Sequence, residues 1–177
     1  MASITIEQLT IPYKKVLLEQ WKQKDPEIVP SFMLAWGGPG ISHGYGFGEW
    51  MAEKYFRENG FYVFTNDFNL VSNTKKFKRL NIMIESLFSQ EQLKGFIDAI
   101  KVNYQRGYTV ENPDLFVFDI KTYFFAEVKK GKDKLRDPQA RFIYLAEKFL
   151  GVESKLIYLC DKSTERKNEN LTYSFEV

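Results

Sequence analysis

Three residues near the middle of the chain have the types and the spacing to do chemistry: Asp114, Glu127 and Lys129. Glu127 and Lys129 flank Val128 at the end of Tyr123-Phe124-Phe125-Ala126, an apolar and aromatic run that suits a strand. Side chains alternate along a strand, so Glu127 and Lys129 share one face and Val128 takes the other. Asp114 opens the preceding run, Leu115-Phe116-Val117-Phe118, and a hairpin across Lys121-Thr122 would bring it beside Glu127. Two carboxylates placed so form an oxygen-rich pocket for a hard divalent cation, Mg²⁺ or Mn²⁺. Such a metal activates water and neutralises charge on a phosphate, and Lys129 can hold the attacking water or a phosphate oxygen. The bare pattern also fits ordinary ion pairs at strand ends. Two strands this apolar, each flanked by an acid, favour a site.

The elements that must position these residues can be read outward from them. The strands are predicted over 115–120 and 123–128. Asp137, with Pro138 after it, is the predicted cap of a helix that ends at Gly151, and 155–160 reads as a returning strand. The C-terminal half is thus β-β-α-β. Upstream, Met51, Ala52, Tyr55 and Phe56 predict a helix over 49–59, stopped by Gly60 and followed by a strand at 61–64. Residues 37–48 hold six of the eleven glycines and must form a loop of unusual backbone freedom. That loop has no Lys-Ser/Thr ending and is not a phosphate-binding P-loop. A first helix is predicted from Thr10 to Gln23. In residues 65–110, Ser89 and Gln92 have capping-box spacing. The stripe Leu93, Phe96, Ile97, Ile100 and Tyr104 behind them is expected in the core.

The 177-residue chain, 44% hydrophobic and 27% charged, is an ordinary globular mixture that can bury a core as one domain. The expected organisation is a single domain, 1–177, with an N-terminal extension over 1–45 and a helical insertion over 65–110. A net charge of +2 announces no nucleic-acid partner by itself, so local clusters of Lys and Arg must carry that argument. The clusters are Lys75, Lys76, Lys78 and Arg79 around Phe77, and Lys130, Lys132, Lys134 and Arg136 beyond the site. The lone Cys160 fits a reducing compartment and a buried thiol, and the lone His43 builds no histidine-based metal site. No leader pattern or membrane-length apolar run occurs, so a soluble protein of the cytoplasm or nucleoid is expected.

At these residues the chain resembles the PD-(D/E)xK nucleases, and among them most closely the VRR-NUC group. Asn112-Pro113-Asp114-Leu115 and Ala126-Glu127-Val128-Lys129 carry the resemblance, followed by Asp133, Leu135, Gln139 and Phe142 at the group's offsets. Gly131 stands one place late, no VRR tripeptide occurs near 155–161, and the matching stretch covers 112–160. The resemblance implies a restriction-endonuclease-like α/β core, a central mixed sheet flanked by helices, and metal-dependent cutting of DNA phosphodiester bonds. It also implies a glutamate in the first core helix, where Glu49 stands at the right distance from Gly60-Phe61 and Glu53 one turn on. Asp114, Glu127, Val128 and Glu49 would hold the metal. Lys129 would orient water, and Gln139 would position Lys129 or the substrate. DNA is the expected partner and a homodimer is allowed. The competing readings are a catalytically silent nucleic-acid-binding module with the same fold, and a partner-binding protein whose basic helices serve assembly.

Overall fold

The computed structural model describes residues 1–36, 38–65, 67–162 and 168–176. Its centre is a mixed six-stranded sheet. In chain order the strands are β1 (Ala2–Tyr13), β2 (Tyr62–Thr65), β3 (Leu115–Phe118), β4 (Tyr123–Lys130), β5 (Ser154–Asp161) and β6 (Glu169–Phe175). Across the sheet they lie β2-β3-β4-β5-β1-β6. The β2-β3 and β3-β4 pairs are antiparallel, β4, β5 and β1 run parallel, and β6 returns antiparallel on β1. The expected central mixed sheet flanked by helices is therefore present.

Alternation along β4 sorts the layers. Phe124, Ala126 and Val128 enter one core with Trp21, Phe47, Ala52 and Phe56 from α1 (Lys15–Lys22) and α3 (Phe47–Glu58). Phe125 points the other way, into a core under α4 (Lys78–Glu85), α5 (Gln90–Gln105) and α6 (Asp137–Leu145). Short α2 (Ser31–Trp36) lies near the start of α3 in sequence. Phe142 of α6 meets Phe125 edge-on at 5.1 Å and Phe96 at 5.6 Å, and all three rings are fully enclosed. Burial of one such ring contributes about 2–3 kcal/mol. This wedge fixes the height of α6 above β4.

The N-terminus departs from expectation. Residues 10–13 are strand, not helix, and α1 begins only at Lys15. Ile4, Ile6 and Gln8 face the α6 layer, while Leu9, Ile11 and Tyr13 face α1 and α3. The alternation Ser-Ile-Thr-Ile-Glu-Gln in 3–8 signals this strand, but Pro12 and the helical spacing of Tyr13, Val16, Leu17 and Trp21 compete with it. What reads as an extension is thus an interior strand of the sheet, flanked by β5 and β6.

The other helices lie close to where the pattern places them. The Ser89 capping box is formed in full, yet of the expected core stripe only Phe96 and Ile100 are buried, and Ile97 and Tyr104 are exposed. Helix α6 begins at Asp137, so its cap is Arg136 and Asp137 is a first-turn acid. It continues through a π-helical turn, Ala146–Leu150, to a left-handed Gly151. Cys160 is a buried free thiol, as expected. No helix among the described residues is long and apolar enough to cross a membrane.

Candidate active site

Asp114 and Glu127 come together where β3 and β4 part. Leu115 is paired with Ala126 in register, so Asp114, one residue before, lies beside the Glu127 segment. Its Oδ2 accepts a hydrogen bond from the Val128 backbone N–H at 2.8 Å, which ties the acid to the strand that carries its partner. Asp114, Glu127 and Lys129 thus meet as the alternation requires.

Glu127 sits in a sealed network. Its Oε1 accepts from the Lys129 ammonium at 2.9 Å and from the Gln139 amide at 2.5 Å. All three side chains are at most 5% exposed. The other end of the Gln139 amide is also held, because its Oε1 accepts from the Arg136 backbone N–H at 3.1 Å. With both ends of the amide fixed, the nitrogen can only donate toward Glu127. Asp133 adds a second carboxylate to Lys129 at 3.6 Å. Leu135 and Phe142, the remaining residues of the sequence pattern, are buried beneath these polar groups.

Electrostatics show an acid pair short of positive charge. Burial raises Asp114 from the usual carboxylate value to about 6; the Val128 N–H opposes the shift and the Glu49 charge adds to it. Glu127 is pushed to about 8 by burial and by Asp114, against the pull of Lys129. A pair so placed holds a proton near neutral pH unless a cation replaces it.

Glu49 approaches from α3 on the other side of the sheet. Gly48 makes this possible, because a Cβ there would lie 3.3 Å from Val128 Cγ1 and 3.5 Å from Leu159 Cδ1. The helix start can therefore lie close on β4 and β5. At Gly46, which caps α3 with φ +79, a Cβ would meet Met33 Cε at 2.6 Å. The runner-up, Glu53, is engaged elsewhere, in an ion pair with Arg57 at 2.8 Å.

The basic residues fall into four groups. Lys132 and Lys134 are exposed in the loop after β4. Arg136 pairs with Glu111 at 2.9 Å. Lys130 turns inward, its ammonium 5.3 Å from the centre of the Phe47 ring and 3.5 Å from the Gly44 carbonyl. Burial lowers its pKa and the charge of Glu49 opposes the shift. Lys75, Lys76, Lys78 and Arg79 are exposed at the start of α4, and Lys76 shares a cleft with Glu49.

Sequence reasoning missed two features. Gln8 of β1 lies in the cross-sheet row Glu127, Leu156, Gln8. It is 2% exposed, its amide nitrogen has no hydrogen-bond partner among the described residues, and it lines a cavity of about 290 Å³ with Lys129 and Asp133. Reading 3–8 as a strand would have found its face. The second is the aromatic lip of the cleft at Glu49, formed by Phe32 and Tyr45, for which the sequence carries no signal.

Side chains alone do not complete a metal centre, because no group of three or more His, Cys, Asp or Glu among the described residues could hold an ion. Two carboxylates and the Val128 carbonyl are nevertheless an all-oxygen set suited to Mg²⁺, which keeps several waters and uses one or two carboxylates. The raised pKa values of the pair fit a site that a cation would relieve. Compared with protein-family models, curated proteins and solved structures, the chain matches none.

Proposed function

We propose that this protein is a metal-dependent nuclease of the PD-(D/E)xK type that hydrolyses phosphodiester bonds of DNA. The observation that carries the reading is the sealed Glu127, Lys129 and Gln139 triad beside Asp114. Four residue types fixed by the sequence pattern meet at one point, with hydrogen bonds of 2.5–2.9 Å. In this reading Asp114, Glu127 and the Val128 carbonyl hold Mg²⁺ or Mn²⁺, and Glu49 completes the negative charge from the α3 side. The bound metal would supply charge neutralisation at the phosphate and a more acidic water.

The remaining chemistry belongs to the chain. Lys129 keeps a cation beside Glu127 and can direct a donor toward water or a phosphate oxygen. Gln139 holds the Glu127 carboxylate in one orientation. Asp133 restrains Lys129 from the solvent side. Such fixed donors act where charge develops in the transition state, at no cost of reorganisation.

The test is cleavage of supercoiled and branched DNA with Mg²⁺, Mn²⁺ or EDTA. Asp114→Asn and Glu127→Gln should each abolish metal-dependent cleavage while sparing DNA binding. Cleavage retained by both variants removes the assignment.

A second reading rests on the burial of the triad. With Glu127 and Lys129 at 3% and 4% exposure and locked to each other, the pair can serve as a structural ion pair in a silent nucleic-acid-binding module. Pure protein that binds DNA and cuts no substrate with either metal selects it.

A further inference from the structure

A cleft of about 790 Å³ opens against α3, and Glu49 is one of its walls. Its lip carries Phe32 and Tyr45, which are 73% and 57% exposed. Singly exposed apolar side chains are ordinary, but these two rings line one cleft together with Trp50. Tyr45 is tied to an aromatic base. Trp50 in the cleft packs on Trp21 at 5.2 Å, and the Trp21 indole N–H donates to the Tyr45 carbonyl at 2.9 Å. Tyr45 is thus anchored through its backbone to Trp21, the buried residue of α1.

Charge and position choose the occupant. Two acids of the cleft are answered within it, Glu53 by Arg57 at 2.8 Å and Glu58 by Lys54 at 3.9 Å. Lys76 also lines it, from the exposed basic cluster that continues through Lys78 and Arg79. Thr65, also in the cleft, pairs in register with Leu115, one residue from Asp114. The cleft thus carries exposed rings, with Lys76 and Glu49 left without a partner of opposite charge among the described residues of its lining, and it reaches Thr65 beside the Asp114 segment. A double helix offers exposed rings no base faces, whereas an unpaired strand offers one per nucleotide, with a phosphate between each for the lysines.

We infer that this cleft binds single-stranded DNA, with unpaired bases stacked on Phe32 and Tyr45 and the backbone led by Lys76 toward Glu49. The inference deepens the nuclease reading and rests on it for the direction of the strand: the substrate is DNA with an unpaired segment beside the cut.

The experiment measures anisotropy of a fluorescent dT₁₂ oligonucleotide and of a 12-base-pair duplex in an Asp114→Asn background, so that nothing is cut. Phe32→Ala with Tyr45→Ala should weaken dT₁₂ binding at least about thirtyfold and change duplex binding less than threefold, since each stack contributes a tenfold scale of affinity or near it. Both positions are exposed, and an unchanged circular dichroism melt confirms folding. Lys76→Gln should weaken dT₁₂ and lower its salt slope by roughly one. Equal losses for duplex and dT₁₂, or a dT₁₂ affinity within twofold of the parent, overturn the inference. Cleavage by the otherwise native protein with Mn²⁺ separates the two readings. DNA cut normally by the Phe32→Ala, Tyr45→Ala variant sinks the cleft and leaves the nuclease. Tight stacking of dT₁₂ by a protein that cuts nothing keeps the cleft as a strand-binding site and sinks the nuclease.

Discussion

The two faces of β4 treat charge in opposite ways. Toward α6, Glu127 and Lys129 are nearly inaccessible and each has its partners in place before any ligand arrives. Toward α3, Lys130 is only half-buried, and Glu49 stands in the wall of an open cleft. The closed side is built by neighbours in sequence, within thirteen residues from Glu127 to Gln139. The open side is assembled from α2, α3, β2 and the insertion. In the proposed nuclease, fixed geometry and access would thus be divided between the faces: one would hold the reacting groups, and the other would admit what they act on.

The sharpest way to break this comparison is at Lys129. Either Met or Ala leaves Glu127 without its cation, but Lys129→Met keeps the bulk of the buried stem and tests the charge without opening a cavity. Single-turnover cleavage at saturating enzyme should fall by about 10²-fold or more with DNA affinity little changed. Normal cleavage at saturation would make Lys129 a structural cation and the closed face inert.

Next in size is the contrast within α3. Glu49→Gln should slow cleavage by about tenfold or more, because Glu49 acts on Asp114 and Lys130, whereas Glu53→Gln should stay within about twofold. The reverse order would move the site one helical turn along the cleft.

The acids themselves give a stability signature. Asp114 holds its proton more tightly folded than unfolded, so its contribution is intact below about pH 4 and is lost as pH rises through about 6. Asp114→Asn can keep the Val128 hydrogen bond through its amide oxygen and removes the charge. In EDTA the variant should be more stable than the parent above pH 6, by up to about 3 kcal/mol, with no advantage near pH 4. Thermal melts across pH check this, and Mg²⁺ should narrow the gap by stabilising the parent alone. A constant difference at all pH values would mean that Asp114 carries no uncompensated charge.

The smallest effect belongs to the loop. Lys132→Ala with Lys134→Ala should weaken DNA binding without regard to sequence and lower the salt slope by roughly one per lost contact. An unchanged slope would confine the DNA path to the α3 face and the Lys75 to Arg79 cluster.

Much of the scaffold was legible from local pattern. Asp114, Glu127 and Lys129 converge because strand alternation and a short hairpin leave few other arrangements, and α6, β5 and the α5 capping box follow from short-range signals of the same kind. Illegible parts depend on distant partners. The strand at 2–13 is held by β5 and β6, more than 140 residues away, and such pairing outweighs a weak helical spacing. Ile97 and Tyr104 follow the same helical period as Phe96 and Ile100, but the sheet covers only part of that stripe. The sequence by itself determined which charged groups share a strand face and which helix follows them, because those are matters of a few residues' geometry. Only the tertiary structure decided that Gln139 reaches Glu127, that Glu49 and not Glu53 acts on Asp114, that Lys130 turns inward onto Phe47, and that Lys76 shares a cleft with Glu49. Each of these depends on the separation of packed layers, set by Phe142 against Phe125 on one side and by Gly48 against Val128 on the other.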